Sequence, residues 1–95
     1  MAVYEYGVMA NRPPIREIIH SAIAGTEADT LTFSAAMTRL AVKNTGTAAL
    51  FFCVNGDPSL TDTLQPGEFF DDEFPEFDHV IMSGVTGSSY TVRVG

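Results

Sequence analysis

Thr38-Arg39-Leu40-Ala41-Val42-Lys43-Asn44 is the stretch on which the fold turns. Apolar and polar residues alternate with a period of two. Leu40 and Val42 therefore share one face and Arg39 and Lys43 the other, the pattern of a strand with one wet side. Asn44-Thr45-Gly46-Thr47 follows with turn chemistry, since glycine tolerates positive φ and asparagine bonds its own local backbone. Leu50-Phe51-Phe52-Cys53-Val54 is nearly all apolar, which predicts a central strand covered on both faces. Asn55-Gly56-Asp57-Pro58 stops it, and the two strands read as a hairpin.

Working outward, Asn55 to Gly67 reads as a loop with Leu60 and Leu64 anchoring it from below. Gln65-Pro66-Gly67-Glu68 carries Pro second and Gly third, the type II turn arrangement. Glu68-Phe69-Phe70-Asp71 predicts a short strand. The acidic-aromatic stretch to Asp78 continues irregularly, because Pro75 argues against a central strand. His79 to Ser83 and Ser89 to Val94 are two more strands, joined by a turn at Gly84-Val85-Thr86-Gly87. In the last, Tyr90, Val92 and Val94 point one way and Thr91 and Arg93 the other.

The first third has two readings. Ile15, Ile18, Ile19, Ala22 and Ile23 fit a helical stripe between Pro13-Pro14 and Gly25. The isoleucines and surrounding threonines favour a strand from Arg16 to Ile23 instead. Its turn is then Gly25 to Asp29, with Leu31 to Phe33 as its partner. Residues 1–14 form an arm: Val3-Tyr4-Glu5-Tyr6-Gly7-Val8-Met9 is rich in β-forming residues, and Pro13-Pro14 interrupts any sheet shared with the domain at 15–95. Strand-like segments add readily to open sheet edges, so Tyr4, Tyr6, Val8 and Met9 are expected assembly contacts.

Composition narrows the function. The chain has 95 residues, room for one domain, and 45% apolar content, too high for a disordered chain. So small a domain buries a modest fraction of its surface, and contacts between copies are a natural supplement. Twelve carboxylates against five Lys and Arg give a net charge of −7, which disfavours nucleic acid and anionic lipid as partners. No apolar run reaches the length of a membrane span, and the first residues lack the basic start and apolar core of a signal peptide, so cytoplasmic synthesis is expected.

No catalytic residue, cofactor site or metal site is assigned, and the chain reads as a non-enzyme. It contains neither a phosphate-cradling glycine loop nor a G-x-S-x-G elbow. Cys53 lies between apolar neighbours and reads as a small buried hydrophobe rather than a reactive thiol. His20 and His79 have no metal-ligand spacing and read as strand-edge or core-rim residues. Asp71, Asp72, Glu73, Glu76 and Asp78 lack the EF-hand spacing. Interleaved with Phe70, Phe74 and Phe77, they read as a solvated loop pinned by its aromatics rather than a calcium site. Phe51, Phe52, Phe69 and Phe70 read as core rather than as a sugar-binding platform.

From Thr38 onward, TRLAVKNTGTAALFFCVNG, LQPGEFFDDEF and SSYTVRVG resemble small β-sandwich proteins of tailed-bacteriophage virions, among them capsid decoration or cement proteins. Val42, Asn44 and Gly46 fill a V-x-N-x-G motif, and Leu64, Pro66, Gly67 and Glu68 an L-x-P-G-E turn. The likeness runs from about Ala24 to Gly95. It implies an all-β chain, a single sandwich of jelly-roll-like or immunoglobulin-like type with an extended N-terminal arm. It also implies a homotrimer on the capsid surface, bound to the major capsid protein or another virion protein, with no catalytic residues to carry over. The alternative from the residues themselves is a carbohydrate-binding or host-surface-binding module.

Overall fold

The computed structural model describes residues 13–95. It is all-β: β1 (Glu17–Ala22), β2 (Asp29–Asn44), β3 (Leu50–Val54), β4 (Thr61–Leu64), β5 (Phe69–Gly84) and β6 (Ser89–Val94), with one 3₁₀ turn at Pro58–Leu60. The strands form one antiparallel sheet in the order β1-β6-β2-β5-β3-β4. Among the described residues no helix is long and apolar enough to cross a membrane.

The two long strands fold this sheet over on itself. Near its end, β2 pairs with β6 (Leu40 opposite Val94) and with the start of β5 (Val42 opposite Phe70). Near its start, β2 pairs with the end of β5 (Leu31 opposite Val80). Between these ladders the register shifts twice, from Thr32 to Met37 and from Met37 to Arg39. Such bulges bend both strands sharply. One layer is then β1, β6 and the adjoining halves of β2 and β5; the other is the remaining halves of β2 and β5 with β3 and β4. Leu40, Val42, Tyr90, Val92 and Val94 from the first layer and Leu50, Phe52, Val54, Val80 and Met82 from the second share one core. Phe52 of one layer meets Phe70 of the other with ring centroids 5.1 Å apart. Opposite that contact, Glu17 of β1 accepts hydrogen bonds from the Ser34 backbone N–H and hydroxyl, tying two edges that share no ladder.

Strand positions follow the alternation, but several expected pairings do not. Thr38–Asn44 and Leu50–Val54 are not a hairpin: β3 pairs with β4 and β5, and residues 45–49 cross from one layer to the other. β1 is a strand and not a helix, but its partner is β6, while Leu31–Phe33 belongs to β2 and pairs with β5. β5 runs unbroken through Pro75, which sits where the β2 ladder is interrupted between Glu73 and Phe77. No ladder hydrogen bond is needed from proline there. The expected loop from Asn55 to Gly67 contains an edge strand, β4, with Leu64 buried. β3 is central in hydrogen bonding yet not covered on both faces, since Phe51 is exposed and Cys53 half-buried. The Gln65–Glu68 turn is as expected, with Gly67 at φ 86° and the Glu68 N–H donating to the Gln65 carbonyl.

Tyr90 is buried in this core, and its hydroxyl donates to Asp29 Oδ2 at 2.7 Å. Burial, then the bond to Asp29, pushes the phenol up to about 12. An unfolded tyrosine ionises near 10. The native protein holds the proton more tightly, so this contribution to stability is complete below about pH 10 and is lost as pH rises from about 10 to 12. Tyr90→Phe should therefore flatten that part of the stability profile. Matched denaturation curves of the two proteins between pH 9 and 12 check this; parallel profiles would contradict it.

Candidate functional site

The outer face of the β1-β6-β2-β5 layer gathers exposed apolar and cationic side chains close together. Strand register sets its rows. Ile18, Arg93, Ala41 and Asp71 lie side by side across four strands, and next to them His20, Thr91, Lys43 and Phe69. Alternation sends their neighbours Ile19, Val92, Val42 and Phe70 inward, so these residues must face out. Phe69 is 74% exposed and Ile18 53% exposed, two of the four exposed large apolar side chains among the described residues. Arg39, Lys43 and Arg93, three of the five Lys and Arg of the chain, stand on the same face.

Arg39 organises one side of it. Its Nε and Nη2 reach the two carboxylate oxygens of Asp71 at 3.1 and 2.9 Å, and its Nη1 donates to the Pro13 carbonyl at 3.0 Å. The hydrogen bonds to Asp71 hold the guanidinium above its ordinary value. Fork-to-carboxylate pairing of this kind fixes geometry more firmly than a lysine would. It places the entering chain, Pro13 to Ile15, against a shallow cleft of about 200 Å³ that Phe69, Ala41 and Arg93 also line. Lys43 and Arg93 are exposed, and neither has an ion-pair partner among the described residues.

A second cleft, of about 180 Å³, lies between the edges of β4 and the first half of β5. Phe52, Phe70, Phe74 and Leu60 form its apolar lining, with Asp62 and Asp72 at its rim. The turn at Gln65–Glu68 joins these two strands without a ladder between them, which leaves the cleft open.

The expected assembly residues Tyr4, Tyr6, Val8 and Met9 lie outside the described residues. Phe52 is core as expected and Phe70 packs partly against it, but Phe69 and Phe51 are exposed, a correction to reading all four as interior. Cys53 is likewise not buried. It is half-buried on the outer side of β3, with its thiol donating to the Asp57 carbonyl at 3.2 Å. The acidic residues at 71–78 lie on a strand rather than an irregular loop, pinned by Phe70, Phe74 and the buried Phe77. No group of three His, Cys, Asp or Glu among the described residues is arranged to hold a metal ion. His20 Nδ1 lies 2.8 Å from the Thr91 hydroxyl and His79 Nδ1 2.8 Å from Asp78, with no contact between the two histidines.

An exposed aromatic with Lys43 opposite it and Arg93 farther along the same face, and small Ala41 and Thr91 beside them, is suited to holding a protein surface. Two carboxylates, Asp71 and Glu73, are interleaved on the same face, which disfavours a run of phosphates. The missed signal was the alternation itself: in Phe69-Phe70 only one ring can face the core. No protein-family model matches the sequence, and no curated protein matches it.

Proposed function

We propose that this chain is a structural protein of a tailed-bacteriophage virion. In this reading it is a capsid decoration protein that binds the major capsid protein or another virion protein and assembles as a homo-oligomer, a trimer. One observation carries the reading. The two motifs on which the resemblance rests lock into each other: Asn44 Nδ2 donates to the Leu64 carbonyl at 2.9 Å, the Asn44 N–H to the Glu68 carbonyl, and the Gly67 N–H to the Asn44 carbonyl. Separated in sequence, they are one structural device, so their joint presence is a more specific likeness than two independent turns.

The outer face with Phe69, Lys43 and Arg93 supplies a docking surface, and Pro13, held there by Arg39, lies at its border. Incubating the purified protein with undecorated phage heads tests the reading. Saturable binding at a copy number matching capsid symmetry is expected, and failure to bind any head or tail assembly overturns it. Deleting Met1 to Arg12 should leave the circular dichroism of the sandwich nearly unchanged and reduce attachment to the particle. If the truncated chain unfolds at every concentration, the arm belongs to the domain's own core.

The exposure of Phe69 favours one second reading, a glycan-binding module with that ring as its platform. A glycan-array signal abolished by Phe69→Ala, together with no binding to phage particles, would select it.

A further inference from the structure

We propose that copies of this chain join head to tail, with the Phe69 face of one seated on the Phe70–Phe74 cleft of the next. This rests on the reading of the chain as a homo-oligomer, and not on which particle it decorates. The two surfaces are complementary in three respects and lie on different parts of the molecule.

The first respect is shape. Phe69 projects from the outer face with 74% of its surface exposed. The cleft between β4 and β5 is lined by Phe52, Leu60, Phe70 and Phe74 and is about 180 Å³ in volume. An aromatic anchor in an apolar pocket is the arrangement that dominates binding energy at protein interfaces.

The second is charge. Lys43 stands directly opposite the projecting Phe69, Arg93 lines the same shallow cleft as that ring from two strands away, and neither cation has an ion-pair partner among the described residues. Asp62 and Asp72 rim the cleft and are exposed. On a chain of net charge −7, copies repel one another in most orientations. This cation-to-carboxylate orientation is the one that the uneven distribution favours.

The third is the pattern of edges. Among the strands of the described residues, the first half of β5 forms a ladder with β2 alone and β4 with β3 alone. The cleft therefore lies between two strands that share no ladder with each other, and strand edges of this kind invite association unless they are covered. Phe69 and Phe70 are consecutive on β5 and face opposite ways, so knob and cleft lie on opposite sides of one strand. A contact between two different surfaces is heterologous, and it closes into a ring when the rotation between copies allows.

Charge exchange in the full-length chain tests this. Sedimentation of wild type, Phe69→Ala, the pair Lys43→Glu with Arg93→Glu, the pair Asp62→Lys with Asp72→Lys, and all four charge changes together gives the dissociation constants. Phe69→Ala should weaken association at least about thirtyfold. Each charge pair alone should weaken it about a hundredfold, since like charges then face each other. The fourfold variant should recover most of the loss, which a merely structural role for these exposed residues would not produce. A monomeric wild type at high concentration overturns the oligomer reading and this interface with it. An oligomeric wild type that ignores Phe69→Ala and the charge changes overturns the interface alone. If deleting Met1 to Arg12 abolishes the oligomer while Phe69→Ala leaves it intact, the occupant of the cleft is the arm and not the neighbouring sheet face.

Discussion

An Asn44→Ala protein is expected to lose about 3–5 kcal/mol of unfolding free energy, a large share of what a small domain holds. Asn44 is 0% exposed, and its side chain uses both ends. Nδ2 donates to the carbonyls of Ala48 and Leu64, each at 2.9 Å, and Oδ1 accepts from the Gly46 N–H at 3.0 Å. Alanine would remove the Asn44 partner from two carbonyls and one N–H, the Leu64 carbonyl in a buried position and the other two part-buried, and each buried orphan costs about 1–3 kcal/mol. Aspartate is a sharper control. It keeps the acceptor for Gly46 but sets a carboxylate oxygen against two carbonyl oxygens, so Asn44→Asp should be at least as damaging at neutral pH. Urea midpoints with unchanged slope check both; a loss below about 1 kcal/mol for Asn44→Ala would contradict this account of the crossing.

Gly46→Ala is expected to cost more than about 3 kcal/mol, or to prevent folding, for a different reason. A Cβ on Gly46 would overlap the Gly87 carbonyl oxygen and lie 2.6 Å from the Ser89 nitrogen. Both are backbone atoms held in place, since the Thr45 N–H donates to the Ser89 carbonyl and the Thr47 N–H to the Gly87 carbonyl. Two segments of main chain are in contact here, and neither has a side chain that could swing aside. Gly25 provides the comparison. Its φ is 64°, yet a Cβ there meets nothing within 4 Å, so Gly25→Ala should cost only about 1 kcal/mol of left-handed strain. Thermal melts of the two variants should differ widely; equal losses would show that conformation rather than contact governs both sites.

These two residues also show what was legible in the sequence. Asn44 and Gly46 announced a change of direction, and the alternation around them located β2 and, near the end of the sequence, β6. The identity of the partner strand was not legible, because the same turn residues serve a hairpin or a crossing between layers. Gly46 was read for its φ, whereas the structure requires its lack of a side chain, a need set by Gly87 and Ser89 far along the chain. Pro75 read as a break for a similar reason: a bulge that makes proline harmless is a property of two strands together. For the candidate site, Lys43 and Arg93 were placed outward correctly by period alone. Bringing them beside Phe69 required the β6-β2-β5 order, which nothing local encodes.

That strand order bears on how the chain reaches its native state during synthesis. Only β3 and β4 are both consecutive in sequence and paired, so almost every ladder must join distant segments. Topologies of that kind fold slowly, on the order of milliseconds to seconds, because long loops must close before contacts reward them. β6 lies between β1 and β2, so on a ribosome the first strand waits for the sixth, and until Ser89–Val94 emerges the apolar faces of both neighbours stay uncovered. Nascent chains stalled before Ser89 should therefore be protease-sensitive throughout, and those extended by a C-terminal linker that carries Val94 clear of the ribosome should become resistant in a single step.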